Sequence, residues 1–382
     1  ITRLLQSGLI NKEDLLRKYT SEIHCNEIVL LAYYIAAVNI ENTFHDLLGK
    51  DATYLAFEGI CLTDTFQLGE TKKGEIQYEE MFHKNSERVE KQQKAPLRII
   101  MGNPPYSVGQ KSADDNSQNQ VYNKLDNRIS QTYQAIASGT GKRALYDAYI
   151  KAFRWSTDRL DKTGGIICFV SNSSWLDGIA TAGFRLCLEK EFTSIYVFNL
   201  RGNQRTSGEL SRKEGGKIFG SGSRTPIAIT LLVKNPDLKT DKATIHYIDI
   251  GDYLNREEKL KIVSGYKSFD NEKLPIKKLL PNEHGDWLSM RNDGFENFIP
   301  LGSKDKQSTP NSNTFFRPLF SSGILTARDS WVWNYNSNNL KQNVKNTIEF
   351  YSEELLKFQE AKKTNPNLIA KNFISYNAKK IS

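Results

Sequence analysis

The chain has 382 residues, of which 38% are hydrophobic and 11% aromatic, and its formal net charge is +8. This length predicts one large domain plus part of a second, and the hydrophobic content is sufficient for a packed core. No uninterrupted apolar run is long enough to span a bilayer, which argues against a membrane-spanning chain, and the positive charge favours a polyanionic partner.

Cysteine and histidine usage gives no indication of disulfides or of a metal site. The four cysteines are widely spaced and lack paired metal-ligand spacing, as in reduced cytoplasmic proteins. The five histidines form no cluster with metal-ligand spacing either. We therefore expect a cytoplasmic protein without a signal peptide and without a bound metal.

The first predicted elements lead to a candidate cofactor ligand. A short strand is predicted to end near Asn26, and Glu27–Ile40 is predicted to be a strongly apolar helix. Glu27 lies at the junction, where an acid in a nucleotide-type fold accepts hydrogen bonds from both ribose hydroxyls of a cofactor. The alternative is a solvated or capping residue at the start of the helix, and Glu22 is a second, poorer candidate.

A third strand is predicted within the mostly apolar run 57–66. By the same argument, Asp64 lies at the carboxyl edge of that strand, where its carboxylate can accept hydrogen bonds from a cofactor. The following stretch, 72–94, is polar and is predicted to be an exposed excursion.

The most informative strand is predicted at Arg98–Met101. Its apolar residues indicate a buried strand, and Gly102 with the two prolines that follow cannot continue a ladder of hydrogen bonds. Asn103 therefore lies at the carboxyl edge of a strand, which is where open α/β sheets bind ligands. The prolines fix the backbone there, so the flanking side chains are held in place.

The tetrapeptide Asn103-Pro104-Pro105-Tyr106 resembles the catalytic motif of the amino-methyltransferases that methylate the exocyclic amine of adenine in DNA. The Asn103 side-chain carbonyl and the Pro104 backbone carbonyl are acceptors for protons of that amine. Tyr106 offers an aromatic face on which a flipped adenine can stack. Carbon-5 cytosine methylation would instead use a cysteine, usually after a proline, and no cysteine here follows one.

The order and spacing of Glu27, Asp64 and the tetrapeptide are similar to those of adenine methyltransferases. Residues 21–41 and the later loops resemble, in particular, the methyltransferase part of the type ISP single-chain restriction-modification enzymes. These enzymes join nuclease, helicase, methyltransferase and target-recognition modules. The resemblance covers most of the chain to about Val263 and continues less distinctly beyond it. It implies double-stranded DNA as partner, with nuclease and helicase modules elsewhere in the chain.

The same resemblance implies S-adenosylmethionine as cofactor, with its ribose held by Glu27 and its adenine amine by Asp64. One feature of the family is absent from this sequence, namely the glycine-rich cofactor loop. Ile1 resembles the middle of the helix that follows that loop. We therefore expect weak binding of the methionine end of the cofactor.

The later part of the domain contains two long polar segments. The stretch 107–141 is predicted to be either a lid over a flipped base or a disordered loop. Arg201–Arg224 is predicted to be a flexible, glycine-rich, basic loop that contacts DNA phosphates, and the alternative is a solvated mobile loop. The candidate DNA-binding residues of this loop are Arg201, Arg205, Lys217, Phe219 and Arg224, with Phe219 as a second face of the base pocket.

The predicted fold is α/β, with a Rossmann-like methyltransferase sheet of about seven strands. Further strands are predicted at Gly165–Ser171, Ile195–Asn199 and Ile227–Val233, and helices at 255–263 and 339–360. Residues 1–265 are predicted to form the methyltransferase domain, and residues 266–382 the start of a target-recognition region. The functional alternative is a non-catalytic DNA-binding or scaffolding fragment of a larger restriction or helicase protein.

Overall fold

The computed structural model describes residues 1–49, 53–70, 83–105, 121–136, 142–220, 224–291, 294, 297–299, 314–315, 332–370 and 373. The chain divides into two compact units, Ile1–Arg291 and Asn292–Ser382. No helix among these residues is sufficiently long and apolar to cross a membrane.

The first unit contains two sheets. The small sheet pairs two parallel strands, β1 (Cys25–Glu27) and β2 (Ile60–Leu62). The large sheet has six strands in the order β3-β4-β6-β5-β7-β8 and is mixed, with β3 parallel to β4, β5 parallel to β7, and the other pairs antiparallel. Its strands are β3 (Ile99–Gly102), β4 (Gly165–Asn172), β5 (Ser194–Arg201), β6 (Ile227–Lys234), β7 (Thr244–Asp249) and β8 (Lys277–Leu279).

Nine of the described α-helices belong to the first unit. They are α1 (Thr2–Gln6), α2 (Lys12–Arg17), α3 (Leu30–Leu48), α4 (His83–Lys94), α5 (Asn123–Ile129), α6 (Ala148–Arg159), α7 (Ala182–Glu191), α8 (Gly208–Glu214) and α9 (Arg256–Tyr266). The second unit contains α10 (Ser337–Thr364), whose N-cap is Asn336.

The α/β class is confirmed, and the three predicted strands after residue 160 lie within β4, β5 and β6. The helices predicted at 255–263 and 339–360 correspond to α9 and α10. The predicted apolar helix begins at Leu30 rather than Glu27 and continues to Leu48. Two strands, β7 and β8, were not predicted.

Two predicted features need correction. The described strands form sheets of six and two rather than one sheet of about seven. The strand β3 is not buried as predicted, because only Ile100 packs against the main core, while Ile99 and Met101 alternate to the opposite face. Ile99 is 63% exposed and Met101 75% exposed there.

The polar stretches 72–94 and 107–141 are more structured in their described parts than predicted. Within 72–94, residues 83–94 form α4, which buries Val89, while residues 71–82 lie outside the described part. Within 107–141, α5 and the turn after it bury Leu125, Ile129 and Tyr133 in the main core. Apolar side chains spaced four residues apart account for the burial of α5 and the turn after it, whereas in α4 Val89 is the only apolar residue and is buried together with Ser86 and Gln92.

Candidate active site

A cleft of about 410 Å³ opens where β1, β2 and β3 end. Its walls come from the last residues of β1 and β3, from the segments that follow the three strands, from side chains of α6 and β4, and from the residue before α5. The residues that line it are Asn26, Glu27, Ile28, Thr63, Asp64, Thr65, Phe66, Ile100, Met101, Gly102, Asn103, Pro104, Pro105, Tyr122, Ala148, Ala152, Trp155, Ser156 and Phe169. The structure thus brings together Glu27, Asp64 and the described part of the tetrapeptide.

Parallel pairing explains why Glu27 and Asp64 line the same cleft. Glu27 is opposite Leu62 in the register of β1 and β2, and the Thr63 amide continues the ladder by donating to the Glu27 carbonyl at 2.9 Å. Asp64 follows at once. Since parallel strands end at the same edge of a sheet, both acids line the cleft.

Glu27 caps the backbone that leads into α3 and also lines the cleft. Its Oε1 accepts hydrogen bonds from the backbone amides of Ile28 and Val29, each at 2.9 Å, and so satisfies free amides before α3. The carboxylate retains further acceptor capacity toward the cleft that it lines. Glu22 instead forms surface ion pairs with Arg17 and Lys18 at 2.7 and 2.8 Å.

Asp64 is held by one backbone and one side-chain donor. Its Oδ1 accepts from the Phe66 amide at 2.9 Å, and its Oδ2 accepts from the Tyr122 hydroxyl at 2.6 Å. The rings of Phe66 and Tyr122 meet edge to face, with centroids 5.3 Å apart. Burial, followed by the hydrogen bond to Asp64, raises the pKa of Tyr122, so this hydroxyl keeps its proton and donates.

Asn103, Pro104 and Pro105 line the cleft directly after β3. Asn103 and Pro105 are exposed and Pro104 is half-buried, so acceptors of the motif are open to a ligand. Tyr106 lies outside the described residues.

Sequence reasoning missed the aromatic residues of the cleft. Trp155 and Phe169 come from α6 and β4, and Tyr122 precedes α5. Their sequence signals are weak because aromatic residues in helices and strands usually belong to the core.

Two family matches cover different parts of the chain. Residues 18–204 match the Eco57I restriction-modification methylase family, and residues 314–379 match the type ISP C-terminal specificity domain. The resemblance to the type ISP restriction-modification methylases is confirmed. No curated protein matches the chain.

Solved structures agree with this assignment. A nuclease-deletion mutant of the type ISP enzyme LlaGI, in complex with a DNA substrate mimic, is 43% identical over 92% of this chain, with a TM-score of 0.80. The ATP-dependent type ISP enzyme LlaBIII bound to DNA is 40% identical over 92% of the chain, with a TM-score of 0.83. A DrdV–DNA complex is 33% identical over 93% of the chain, with a TM-score of 0.78. The chain spans only 27%, 23% and 33% of these three proteins.

The loop predicted to be flexible within Arg201–Arg224 instead packs against the segment before α9. We call residues 202–220 the basic excursion. It contains α8, and its backbone hydrogen-bonds to the segment before α9: the Gly216 amide donates to the Leu254 carbonyl at 2.9 Å, and the Tyr253 amide donates to the Lys213 carbonyl at 3.1 Å. A Cβ on Gly215 would lie 2.1 Å from the Leu254 carbonyl oxygen, so this glycine permits close contact rather than mobility.

Two cations near the basic excursion are used within the fold. Arg201 donates from Nε and Nη2 to the two carboxylate oxygens of Asp249 at 2.8 and 2.7 Å, and its Nη1 pairs with Asp252. Lys259 is fully buried and donates to the carbonyls of Glu214 and Gly216 at 2.7 and 2.9 Å. Burial lowers the pKa of Lys259 to about 8.

Exposure and packing differ among the other predicted DNA-binding residues. Arg205 and Arg224 are exposed and Lys217 is half-buried, and the Gln204 amide donates to the Arg224 carbonyl at 3.0 Å, which brings 205 and 224 together. Phe219 packs against the apolar cluster around Phe198 and does not appear among the described residues of the cleft.

Proposed function

We propose that this chain is the methyltransferase region of a restriction-modification enzyme that transfers a methyl group from S-adenosylmethionine to the N6 amine of adenine in double-stranded DNA. The observation that carries the proposal is the convergence of Glu27, Asp64 and Asn103-Pro104 on one cleft. The family match to restriction-modification methylases supports it.

The donor set of the cleft fits the cofactor. A carboxylate accepts hydrogen bonds only, and the nucleoside half of S-adenosylmethionine presents two ribose hydroxyls and one adenine amine as donors. Glu27 would hold the ribose and Asp64 the amine, while Ile28 and Phe66 supply apolar walls beside them. The cofactor would supply an activated methyl group on its sulfonium.

The tetrapeptide would prepare the target amine. The lone pair of an aromatic amine is delocalised into its ring, so acceptors that take its protons make the nitrogen a better nucleophile. The Asn103 Oδ1 and the Pro104 carbonyl are such acceptors. Tyr106 would stack on the adenine once the base has left the helix.

DNA contact by the basic excursion and by the neighbouring Arg224 is part of the proposal. Arg205, Lys217 and Arg224 would contact phosphates, because all three are at least partly exposed. Arg201 would instead fix the base of the excursion, since two carboxylates already neutralise it. The solved complexes of LlaGI, LlaBIII and DrdV contain DNA or a DNA mimic, which supports this partner.

The proposed organisation follows the same family. Residues 1–265 would be the methyltransferase domain and residues 266–382 the start of the target-recognition region. In the structure, the compact first unit extends past residue 265 to Arg291 and includes β8. Nuclease and helicase modules would belong to the complete protein, because the chain corresponds to a third or less of each relative.

The test is direct chemical analysis of methylated DNA. The complete gene product is incubated with S-adenosylmethionine and unmethylated DNA, the DNA is digested to nucleosides, and methylated bases are identified by mass spectrometry. We expect N6-methyladenine, with a yield from the Asn103→Ala variant that is lower on the order of 10²-fold or more. Methylated cytosine as the product would contradict the assignment of the base. DNA binding without any methylated base would favour a non-catalytic scaffold.

A further inference from the structure

Tyr122 lines the cleft, although it is 58 residues away from Asp64 in the sequence. It is 2% exposed, and its hydroxyl donates to Asp64 Oδ2 across 58 residues of chain. With the Phe66 amide on Oδ1, this bond engages each oxygen of Asp64 with one donor and fixes the plane of the carboxylate. Each oxygen still has acceptor capacity for a ligand.

The segment that carries Tyr122 is tied to the segment after Asp64 at further points. Glu70 accepts from the backbone amides of Lys124 and Leu125 at 2.8 and 2.9 Å, which caps the first turn of α5. The Lys124 ammonium donates to the Gly69 carbonyl at 3.0 Å. The 64–70 and 122–126 segments therefore pack as one structural unit.

Lys151 and Asp126 also fix the position of Tyr122. Lys151 is 5% exposed, and its Nζ lies 5.0 Å from the centroid of the Tyr122 ring and 2.7 Å from Asp126 Oδ1. Asp126 Oδ2 in turn accepts from the Tyr122 amide at 3.3 Å. Since ring and backbone are both fixed, the direction of the hydroxyl is fixed as well.

We infer that Tyr122 is a positioning residue that holds Asp64 as an oriented acceptor and thereby makes the cleft selective for a purine with a 6-amino group. The inference rests on the proposed function, in which Asp64 receives the cofactor amine. A fixed carboxylate attracts the amine of adenine and repels the 6-carbonyl oxygen of hypoxanthine. A carboxylate free to rotate would lose part of both effects.

The experiment compares two probes that differ only at that position, S-adenosylhomocysteine and S-inosylhomocysteine. Their dissociation constants are measured by isothermal titration with the complete wild-type protein and with Tyr122→Phe. This variant keeps the ring against Phe66 and Lys151 and removes only the hydroxyl. We expect about tenfold weaker binding of S-adenosylhomocysteine, because a carboxylate that is free to rotate holds the amine less well, and about twofold or smaller change for S-inosylhomocysteine, which presents no amine to Asp64.

Tyr146→Phe is the matched control. Its hydroxyl donates to Gln134 Oε1, also at 2.6 Å, but Tyr146 is not among the described residues that line the cleft. We expect no change in the affinity of either probe. A second variant, Asp64→Asn, should reduce the preference for the amine by itself, and a further Tyr122→Phe change should then have no additional effect, because the hydroxyl acts through Asp64.

Other outcomes would overturn the inference. Equal weakening of both probes would assign Tyr122 a merely structural role, and unchanged or tighter binding of S-adenosylhomocysteine would show that the hydroxyl does not orient Asp64 for the ligand. Failure of the wild-type protein to bind either probe would overturn the proposed cofactor site itself, and that result is distinct from the others.

Discussion

The cleft and the basic excursion both contain charged side chains at loop positions, but they use these charges differently. In the cleft, Glu27 and Asp64 accept hydrogen bonds mainly from neutral donors and remain next to open space. At the basic excursion, Arg201 is neutralised by two carboxylates and Lys259 is buried against carbonyls. Charge in the first region is available to a ligand, whereas part of the charge in the second stabilises the fold.

This difference shows that the number of cations in a loop does not by itself indicate how many of them can contact DNA. Counting cations between residues 201 and 224 treats them as equivalent. The structure separates Arg201, which has partners within the fold, from the exposed Arg205 and Arg224. A role in DNA contact therefore depends on which carboxylates lie near each cation.

The largest effect is expected at the motif that follows β3. Asn103→Ala should reduce methyl transfer on the order of 10²-fold or more, because such transition-state acceptors are worth that much. Folding, DNA binding and cofactor affinity should change little, since Asn103 is exposed. Transfer is measured with labelled cofactor. Asn235→Ala, in the turn after β6, is the control, and transfer at the wild-type rate by Asn103→Ala would remove the motif from the mechanism.

Tyr106 should give the next largest effect. If it stacks on the flipped adenine, Tyr106→Phe keeps most activity, while Tyr106→Ala loses stacking worth roughly 1–3 kcal/mol per base. Single-turnover methylation of duplex DNA by the two variants checks this. Equal rates for phenylalanine and alanine would argue against stacking.

Some features were predictable because they depend on local pattern alone. The apolar runs identify β4, β5 and β6, and strand ends place Glu27, Asp64 and Asn103 at one edge of the fold. Contacts between distant residues were not predictable in this way. The bond from Tyr122 to Asp64 spans 58 residues, and that from Arg201 to Asp249 spans 48.

The exposure of β3 was also not predictable, since an apolar strand looks the same in sequence whether one or both of its faces are covered. Burial depends on what packs on each face, and Ile100 packs against the main core while Ile99 and Met101 lie on the other face. Ile99 and Met101 consequently contribute less to the core than their sequence pattern indicates.

The buried Lys259 should make stability depend on pH. Its pKa of about 8 in the folded protein lies below the ordinary 10.5, so the unfolded chain binds more protons between these values. Stability should therefore rise with pH from about 8 to 10.5 relative to Lys259→Met, by about 2 kcal/mol. Urea unfolding at several pH values measures this. The exposed Lys261→Met should show no such pH-dependent difference from wild type, and a flat difference for Lys259→Met would contradict the shifted pKa.

The smallest effects separate the two roles of arginine at the basic excursion. Arg201→Ala removes a paired cation that is 22% exposed, so we expect a loss of about 1 kcal/mol in unfolding free energy, reduced by solvent screening, and an unchanged salt dependence of DNA binding. Arg205→Ala removes an exposed cation, so stability should be unchanged, while the slope of log affinity against log salt should fall by about 1.

Both variants are tested by thermal unfolding and by DNA titration at several salt concentrations. The two measurements respond to different physical terms, because ion pairs inside the fold affect unfolding, whereas phosphate contacts release counterions from DNA. If Arg201→Ala lowered the salt slope without loss of stability, Arg201 would leave Asp249 and Asp252 to contact phosphate when DNA binds. The charge of Arg201 would then be available to a ligand, as the charges of the cleft are.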